Sequence, residues 1–420
     1  MSVLEPATAR TVRTRIQWHL TGSVRRATPR GVHNLTARGA KPLTTRPLFR
    51  YACDVDAEPL HRYTKGGYHP THLGDQLKHG RYRVLHKLGW GGHSTVWAAR
   101  DEEKGRYVAV KISVSEWQSE QANRQLQVMR TIATSSLQNA GAASVMKVLD
   151  HFELDGPNGT HECLVLELLG PSVSDIVDVR FVGDRLPAAL AKKVARQTLL
   201  GLDYLHQHGI GHGVFTLSLS DSSGEDELSR ILGRPELGPV RRVNGEPTEP
   251  GSIKIVDYGE SFFDTEPPVT LHTPLAVRAP EVVFEDNFDH RVDLWSMGCL
   301  LFELFAGQTP FDVLMLTPGI LTGQMEDFAT DKLPKRWVER ANRLKEESID
   351  FVQAGREEEG AVSTHTLQQW LEEIYFDQGK SAELSLEDVR KLAELVSKML
   401  YFEPSSRATA SALLKDTWLS

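Results

Sequence analysis

The change in hydrophobic periodicity along the chain constrains its fold more than any other sequence feature. Alternating apolar and polar residues, the pattern of half-buried strands, run from residue 81 to about 115 and again from about 135 to 169. A helical pattern lies between these two runs, and beyond residue 187 the pattern is mostly helical. Strands gathered in one part of a chain and helices in the other predict an α+β fold with two lobes.

This periodicity and the local composition divide the chain into four predicted parts. They are a basic segment at 1–58, an ordered lead-in loop rich in Gly, Pro and His at 59–80, a small lobe at 81–170 and a large lobe at 171–420. Two insertions in the large lobe are predicted at about 218–250 and 318–395. The stretch from Leu294 to Phe305 is apolar nearly all round, so we expect it to form a buried central helix of the large lobe.

Charge is distributed unevenly along the chain. Residues 1–50 hold nine Arg, one Lys and a single acid, Glu5, for a net charge of +9, and the remaining 370 residues carry a net charge of −17. Within the basic segment, Val12, Ile16 and Leu20 recur every fourth residue beside arginines, a pattern typical of mitochondrial transit peptides. A disordered basic arm is the alternative, and both interpretations stay open.

Composition also excludes several classes of protein. The three cysteines, Cys53, Cys163 and Cys299, are far apart, which argues against a disulfide framework or a structural zinc site and favours an intracellular compartment. The longest apolar stretch is too short to cross a bilayer, so no membrane partner is expected. The acidic body favours basic partners and predicts no direct contact with nucleic acid.

The first chemical motif is a glycine-rich turn followed by a lysine. Gly89, Gly91 and Gly92 lie between two strand-like runs, which predicts a β-hairpin whose backbone N–H groups can approach phosphates closely. A strand follows the glycines and no G-K-[ST] ends them, so neither a dinucleotide-binding fingerprint nor a Walker A loop is present. Lys111 ends the apolar run Val108-Ala109-Val110, where a buried cation needs an anionic partner, and a nucleotide phosphate is one candidate.

Further motifs follow downstream. Asp257 ends the strand-like run Ile253-Lys254-Ile255-Val256 and precedes Tyr-Gly, and its carboxylate suits Mg²⁺. The chain then contains Arg278-Ala279-Pro280-Glu281, Asp293-Leu294-Trp295-Ser296-Met297-Gly298 and Arg407. Each motif alone carries little information, but their order along the chain is highly specific.

In this order the motifs resemble those of the protein kinase family, over residues 81–420. The chain is most similar to the kinases of Ser/Arg-rich proteins (SRPK-like). Four features carry that closer resemblance: the run K-L-G-W-G-G-H-S-T-V-W with Ser94 in place of the third glycine, Gly170 after Leu166-Glu167-Leu168-Leu169, the run from Thr273 to Glu281, and the long insertion before Asp257.

The resemblance implies a two-lobed protein kinase fold, with a small antiparallel β lobe plus one helix and a large, mainly α lobe. It also implies transfer of a phosphoryl group from ATP, with Mg²⁺, to a protein Ser or Thr. An Arg/Ser-rich protein is then the implied substrate or docking partner. The implied location is the cytoplasm or nucleus, against which the basic segment sets a mitochondrial alternative.

The resemblance also assigns site residues. The implied metal ligand is Asp257, and the implied ATP-binding residues are Leu88, Gly89, Trp90, Gly91, Gly92, His93, Ser94, Thr95, Val96, Ala109, Lys111, Glu167 and Leu169.

The catalytic loop departs from the family pattern H-[RG]-D-x-x-x-x-N, in which Asp is the base and Asn binds a second metal ion. Read without gaps from His212, the base position is Val214 and the Asn position is Leu219. Read with a deletion of about five residues after Thr216, residues 217–219 become the following strand and the Asn is absent. Neither alignment provides a base, and Asp221 lies seven residues beyond the base position.

A third departure, after the missing base and the missing Asn, lies in the predicted helix that follows Lys111. There Gln125 stands at the position of the family's lysine-binding glutamate. The sequence therefore predicts an ATP-binding member of the family in which phosphotransfer is impaired or absent. Two alternatives stay open. The chain is an active kinase of Ser/Arg-rich proteins with a rearranged loop, or the run Val214–Ser220 is a mis-spliced reading of an intact gene.

Overall fold

The structure is a computed structural model, and it describes residues 57–117, 120–135, 139–180, 185–220, 252–311, 313, 315–353, 365–377 and 382–419. The predictions for residues 1–56, including the two interpretations of the basic segment, lie outside the described residues. So do Asp221 and most of the predicted insertion at 218–250.

A six-stranded antiparallel sheet forms the small lobe. Its strands lie in the order β1-β2-β3-β4-β6-β5. They are β1 (Gln76–Leu77), β2 (Tyr82–Gly91), β3 (Ser94–Asp101), β4 (Arg106–Ser113), β5 (Val148–Gly156) and β6 (Gly159–Glu167).

The alternation of side chains gives this sheet two different faces. On the outer face, Trp97, Val110 and Val165 are cross-strand neighbours and belong to one buried cluster. On the inner face, Lys111 pairs with Val96 on one side and Leu164 on the other. The inner face also carries the apolar cluster that includes Leu126 and Met129 of helix α1 (Glu120–Thr134). The helical pattern predicted from residue 115 thus forms a 3₁₀ turn at Ser115–Trp117 and then α1.

The large lobe is mainly helical among the described residues. Its helices are α2 (Val173–Arg180), α3 (Ala188–His206), α4 (Pro280–Val283), α5 (Val292–Ala306), α6 (Pro318–Phe328), α7 (Val338–Gln353), α8 (Leu367–Tyr375), α9 (Leu386–Ser397) and α10 (Ala410–Leu413). None of the helices in the described part of the chain is long and apolar enough to cross a membrane.

Helix α5 is the centre of the large-lobe core, as its sequence predicts. Trp295 and Phe302 are completely buried, and almost every residue of the helix is buried with them. A helix that is apolar on all sides is stable only when other elements surround it. The helix ends at Gly307, whose left-handed backbone (φ +80°) is the usual C-terminal signal for a helix.

The stretch 318–395, which was predicted as an insertion, contributes its described helices to the same core. Leu371 of α8 and Leu392 of α9 are both fully buried in the main cluster of the large lobe. Helix α9 begins with a capping box, in which the Ser385 side chain accepts from the Asp388 N–H and the Asp388 side chain accepts from the Ser385 N–H.

Two small antiparallel sheets lie between the lobes and position the functional site. One pairs β7 (Ile210–Gly211) with β10 (Phe262–Phe263), and the other pairs β8 (Thr216–Ser220) with β9 (Ser252–Val256). The segment that follows β6 connects the two lobes. Within it, the Gly170 N–H donates a 2.8 Å hydrogen bond to the Leu219 carbonyl of strand β8.

Candidate active site

The cleft between the lobes brings together Lys111 and Asp257. Lys111 Nζ lies 3.3 Å from Asp257 Oδ1, and the two side chains are 12% and 28% exposed. Lys111 belongs to β4 on the inner face of the sheet, whereas Asp257 follows directly after β9. Two predicted site residues that are 146 positions apart in the sequence therefore form an ion pair across the cleft.

The backbone of Asp257 is in the left-handed region, with φ +68° and ψ +74°. This conformation costs a residue other than glycine about 1–2 kcal/mol, although Asp tolerates it better than most. It turns the chain sharply at the end of β9, so that Tyr258 is fully buried with its ring 4.8 Å from that of His212. The turn separates a carboxylate in the cleft from an aromatic ring in the core.

The glycine-rich turn forms the predicted hairpin. Gly91 at the end of β2 pairs with Ser94 at the start of β3, and Gly92 and His93 form the tip between them. Leu88, Gly89 and Trp90 lie in β2, and Thr95 and Val96 lie in β3. Because Val96 is the cross-strand neighbour of Lys111, the predicted turn residues lie beside the lysine.

The segment between the lobes lies next to β4. Ala109 pairs with Leu166, and together with Val96 and Leu169 it belongs to one apolar cluster on the inner face. The Glu167 carboxylate binds Lys254 Nζ at 2.8 and 2.7 Å and accepts a hydrogen bond from the Lys147 N–H at 2.7 Å. The Glu167 side chain thus points toward Lys254 of β9 and toward Lys147, the residue before β5. Glu167 is the last residue of β6.

Gln125 occupies a buried position on α1, 5% exposed. It stands at the position of the family's lysine-binding glutamate, and the ion pair that Lys111 forms is with Asp257.

The start of the catalytic loop is held by Asp293, the first acid of α5. Its carboxylate accepts hydrogen bonds from the backbone N–H groups of His212 at 2.7 Å and Gly213 at 2.8 Å, and it lies 3.0 Å from His206 Nε2. Burial lowers the pKa of His212, whose ring packs against Tyr258. Asp293 therefore fixes the backbone of His212 and Gly213.

Beyond Gly213 the chain enters a strand after two residues. Strand β8 begins at Thr216, which pairs with Val256 directly before Asp257. Only Val214, partly buried, and Phe215, 4% exposed, lie between Gly213 and the strand. Leu219 lies inside β8, so the alignment without gaps does not fit, and the strand at 217–219 agrees with the alignment that has a deletion.

A buried ion pair holds Glu281, at the end of the segment that follows Asp257. Arg407 Nη1 and Nη2 each donate a 2.6 Å hydrogen bond to the carboxylate of Glu281. Arg407 also donates to the carbonyl oxygens of Tyr401 and Arg291. The two motifs that the sequence singled out at residues 278–281 and 407 thus form one interaction, although the sequence analysis left them separate.

Comparison with known proteins agrees with this geometry. The family model of the protein kinase domain matches residues 82–213 and 246–419, well over half of the chain. The chain belongs to the protein kinase family. The match is interrupted directly after Gly213, where the catalytic loop departs from the family pattern.

The relatives place the chain among the serine/threonine kinases of SRPK type. A serine/threonine protein kinase of Aspergillus fumigatus is 28% identical over 393 residues, 90% of this chain and 94% of that protein. The serine/threonine-protein kinase SRPK of Physarum polycephalum is 29% identical over 409 residues, 87% of this chain and 92% of that protein. Human SRSF protein kinase 3 is 38% identical over 155 residues, 36% of this chain and 27% of that protein.

Protein kinases generally use ATP and Mg²⁺, and the described residues fit both in part. Lys111 offers a cation, and strand β3 of the glycine-rich hairpin lies beside it. Asp257 offers one carboxylate, and no cluster of three or more His, Cys, Asp or Glu side chains able to hold a metal occurs in the described ranges. Since Mg²⁺ in nucleotide sites is commonly held by one or two carboxylates plus phosphates, the residues fit one Mg²⁺ that reaches the site with a nucleotide.

One set of contacts at the site was missed by the sequence analysis. The lead-in loop reaches the hairpin tip, where the Tyr68 hydroxyl donates a 2.8 Å hydrogen bond to the Gly91 carbonyl and Arg62 Nη1 donates to the Gly92 carbonyl. The only signal in the sequence was the pair Gly66-Gly67 directly before a tyrosine, which marks a tight backbone approach without naming its partner.

Proposed function

We propose that this SRPK-like chain binds ATP and Mg²⁺ in the cleft but transfers phosphate poorly or not at all. The observation that carries the proposal is the start of strand β8 at Thr216, three residues after Gly213. A loop of the family pattern needs six residues from its Asp to its Asn. Between Gly213 and the strand there are only Val214 and Phe215, and neither can accept a proton or bind a metal ion.

Nucleotide binding depends on groups that the shortened loop does not remove. Lys111 would pair with the α- and β-phosphates, and the backbone of residues 88–96 would cover them. The backbone of Glu167 and Leu169 would hydrogen-bond adenine against the apolar cluster that contains Ala109. Asp257 would hold one Mg²⁺, which neutralises the charge that develops between the phosphates.

The loss of transfer can be estimated. A positioned general base contributes a factor of about 10² to 10⁴ in rate, or roughly 3–5 kcal/mol of barrier. Val214 removes that contribution, and the missing Asn removes a second metal ligand. The losses act on the same transition state, so they need not add.

An active kinase of Ser/Arg-rich proteins is the second candidate, and the intact framework around the loop favours it. Asp293 still holds the backbone of His212 and Gly213, and Arg407 still holds Glu281. If this candidate is correct, a residue outside the described ranges such as Asp221 orients the substrate hydroxyl, or the transcript encodes a different loop. Sequencing the transcript across codons 205–230 separates the mis-spliced alternative from the other two.

The experiment that tests the proposal measures binding and transfer on the same purified chain. Mg-ATP at 100 times its dissociation constant stabilises a protein by about 2.7 kcal/mol, so the melting temperature should rise. Lys111→Ala should reduce this rise, whereas Lys391→Ala, at an exposed lysine of α9, should leave it unchanged. Transfer to an Arg-Ser peptide should stay at background. Robust transfer that Lys111→Ala abolishes would overturn the proposal in favour of the active kinase.

A further inference from the structure

Residues 58–68, called the strap from here on, are bonded to the tip of the glycine-rich hairpin. Tyr68 is 1% exposed, and its hydroxyl donates to the Gly91 carbonyl at 2.8 Å. Arg62 Nη1 donates to the carbonyl of the next residue, Gly92. Two successive carbonyl groups of the tip are therefore occupied by side chains of one short segment.

The orientation of the Tyr68 hydroxyl is determined by its neighbours. Arg62 Nη1 donates to Tyr68 Oη at 3.2 Å, and the guanidinium lies 4.8 Å from the centre of the tyrosine ring. Because Arg is only a donor, the tyrosine oxygen must accept this bond and direct its own proton at the Gly91 carbonyl.

The strap is itself held to the small lobe by backbone hydrogen bonds. The Gly66 carbonyl accepts from the Glu116 N–H, and the Gly67 carbonyl accepts from the Ser115 N–H. Asn158 Nδ2 donates to the Tyr68 carbonyl at 2.7 Å. A Cβ on Gly67 would lie 1.7 Å from the Arg62 carbonyl oxygen, so only glycine allows the strap to fold back on itself here.

The strap begins on the outer face of the sheet. Glu58, 4% exposed, forms an ion pair with Lys87, which is the cross-strand neighbour of Trp97 on that face. Lys111 lies on the inner face. The start of the strap is therefore on the side of the sheet opposite to the cleft.

The bonds from Tyr68 and Arg62 determine the direction of two backbone N–H groups. In a trans peptide the C=O of one residue and the N–H of the next point in opposite directions, and none of the described peptide bonds is cis. The Gly92 N–H therefore points away from the Tyr68 hydroxyl that binds the Gly91 carbonyl. The His93 N–H likewise points away from the Arg62 guanidinium that binds the Gly92 carbonyl.

We infer that the strap positions the hairpin tip for phosphate binding, with Tyr68 and Arg62 as positioning residues that direct the N–H groups of Gly92 and His93 into the cleft. The inference rests on the proposed function, because it needs a nucleotide phosphate to reach the hairpin tip. Neither side chain touches the ligand. Their effect is on the selectivity of the cleft for a phosphorylated nucleotide over the bare nucleoside.

The test compares the affinities of the full chain for ATP and for adenosine, measured by titration calorimetry with Mg²⁺ present. Tyr68→Phe removes one oxygen atom and no charge. One hydrogen bond corresponds to a factor of roughly 3 to 10 in an equilibrium constant, so the affinity for ATP should fall by about that factor. The affinity for adenosine should stay unchanged, because adenosine has no phosphate to reach the tip.

Tyr63→Phe is the matched control. The Tyr63 hydroxyl belongs to the same strap but donates to Glu58 and not to the hairpin tip. This variant should keep the preference of the wild-type chain for ATP. Arg62→Met removes the donor to the Gly92 carbonyl while Tyr68 stays in place, and it should reduce the preference for ATP. If Tyr68→Phe fails to fold, the Arg62 variant tests the inference by the same comparison of the affinities for ATP and adenosine.

The possible results separate the inference from the proposed function. If the wild-type chain binds adenosine as tightly as ATP, the phosphate site of the proposed function fails. If the wild-type chain prefers ATP and Tyr68→Phe keeps the full preference, the inference is wrong while the proposed function stands. An equal loss of affinity for both ligands in Tyr68→Phe would show a purely structural role and would also overturn the inference.

Discussion

The carboxylate of Asp293 accepts a 2.8 Å hydrogen bond from the backbone N–H of Gly213, the last residue before the valine at the base position. The carboxylate is fully buried and also holds the His212 N–H. The backbone that leads into the predicted catalytic loop is thus fixed at two successive residues. If the loop lacks its reactive residues, as proposed above, a grafted loop that starts from this fixed backbone would supply them.

Replacing Val214 and Phe215 with a loop of the family pattern, with Asp first and Asn five residues later, should therefore restore phosphate transfer to an Arg-Ser peptide. The single variant Val214→Asp should not, because it supplies a base without the second metal ligand. Transfer is measured with labelled ATP on both variants and on the unmodified chain. Activity in Val214→Asp equal to that of the graft would show that the Asn position does not matter here.

The ion pair between Glu281 and Arg407 should be important for stability because neither side chain reaches solvent. Removing one partner of a buried pair leaves an uncompensated charge, and Arg407→Met should lower the free energy of unfolding by about 3–5 kcal/mol. The double variant with Glu281→Gln should lose less than the sum of the two single variants. Denaturant unfolding measures all three.

The control for this prediction is the exposed pair of Lys391 and Glu387 on α9. Exposed pairs contribute about 0.3–0.5 kcal/mol, so Lys391→Met should have little effect on the same measurement. A loss in Arg407→Met as small as that of the control would contradict the prediction.

A pair of partly buried contacts near His206 and Asp293 should make stability depend on pH. His290 Nδ1 lies 2.6 Å from Asp264 Oδ2, and the His290 ring lies 4.5 Å from the ring of His206, which contacts Asp293. Burial by itself lowers the pKa of His290, but the hydrogen bond and the charges of Asp264, Asp289 and Asp293 outweigh it and raise the pKa. Burial alone raises the pKa of Asp264, yet its hydrogen bonds with His290 lower it overall.

The direction of the effect follows from these shifts. A raised pKa means that the contribution of His290 is complete below its ordinary pKa of about 6.5 and is lost as the pH rises through the folded-state value. His290→Gln should therefore lower the melting temperature more at pH 6 than at pH 9. The matched control is His72→Gln, at an exposed side chain, which should show no such difference. An equal loss at both pH values would refute the role of the charge.

The acidic body of the chain should select basic peptides. Residues 51–420 carry a net charge of −17, so an Arg-rich peptide should bind more tightly than a Glu-rich peptide of equal length. The binding should weaken as the salt concentration rises past the physiological range, where the Debye length is about 8 Å. Fluorescence anisotropy of labelled peptides measures both effects, and equal affinities at low salt would exclude the prediction.

Local patterns predicted the parts of the site that depend on one segment of chain. The hairpin of Gly91 and Ser94, the lysine after the apolar run in β4 and the central helix α5 each follow from the periodicity and composition of their own residues. Asp257 at the end of a strand was predictable for the same reason. The assignment of these residues to nucleotide binding stays a prediction.

Contacts between distant segments were not predictable in this way. The choice between the two alignments of the catalytic loop depends on the pairing of Thr216 with Val256, which are 40 positions apart. The bond between Tyr68 and Gly91 joins two segments that each have an ordinary local pattern. A single sequence gives the chemistry of each group but not the partner that the fold brings to it.

The ion pair between Lys111 and Asp257 has a consequence for how tightly any nucleotide is held. Phosphates would attract Lys111, and the metal ion that accompanies them would attract Asp257, so both ligands compete with a bond that the protein already makes with itself. Without a nucleotide, the charges of the lysine and the aspartate largely cancel in the cleft. The measured affinity is then the difference between two sets of charge pairings, and a variant that weakens the internal pair while keeping both Lys111 and Asp257 would bind nucleotide more tightly.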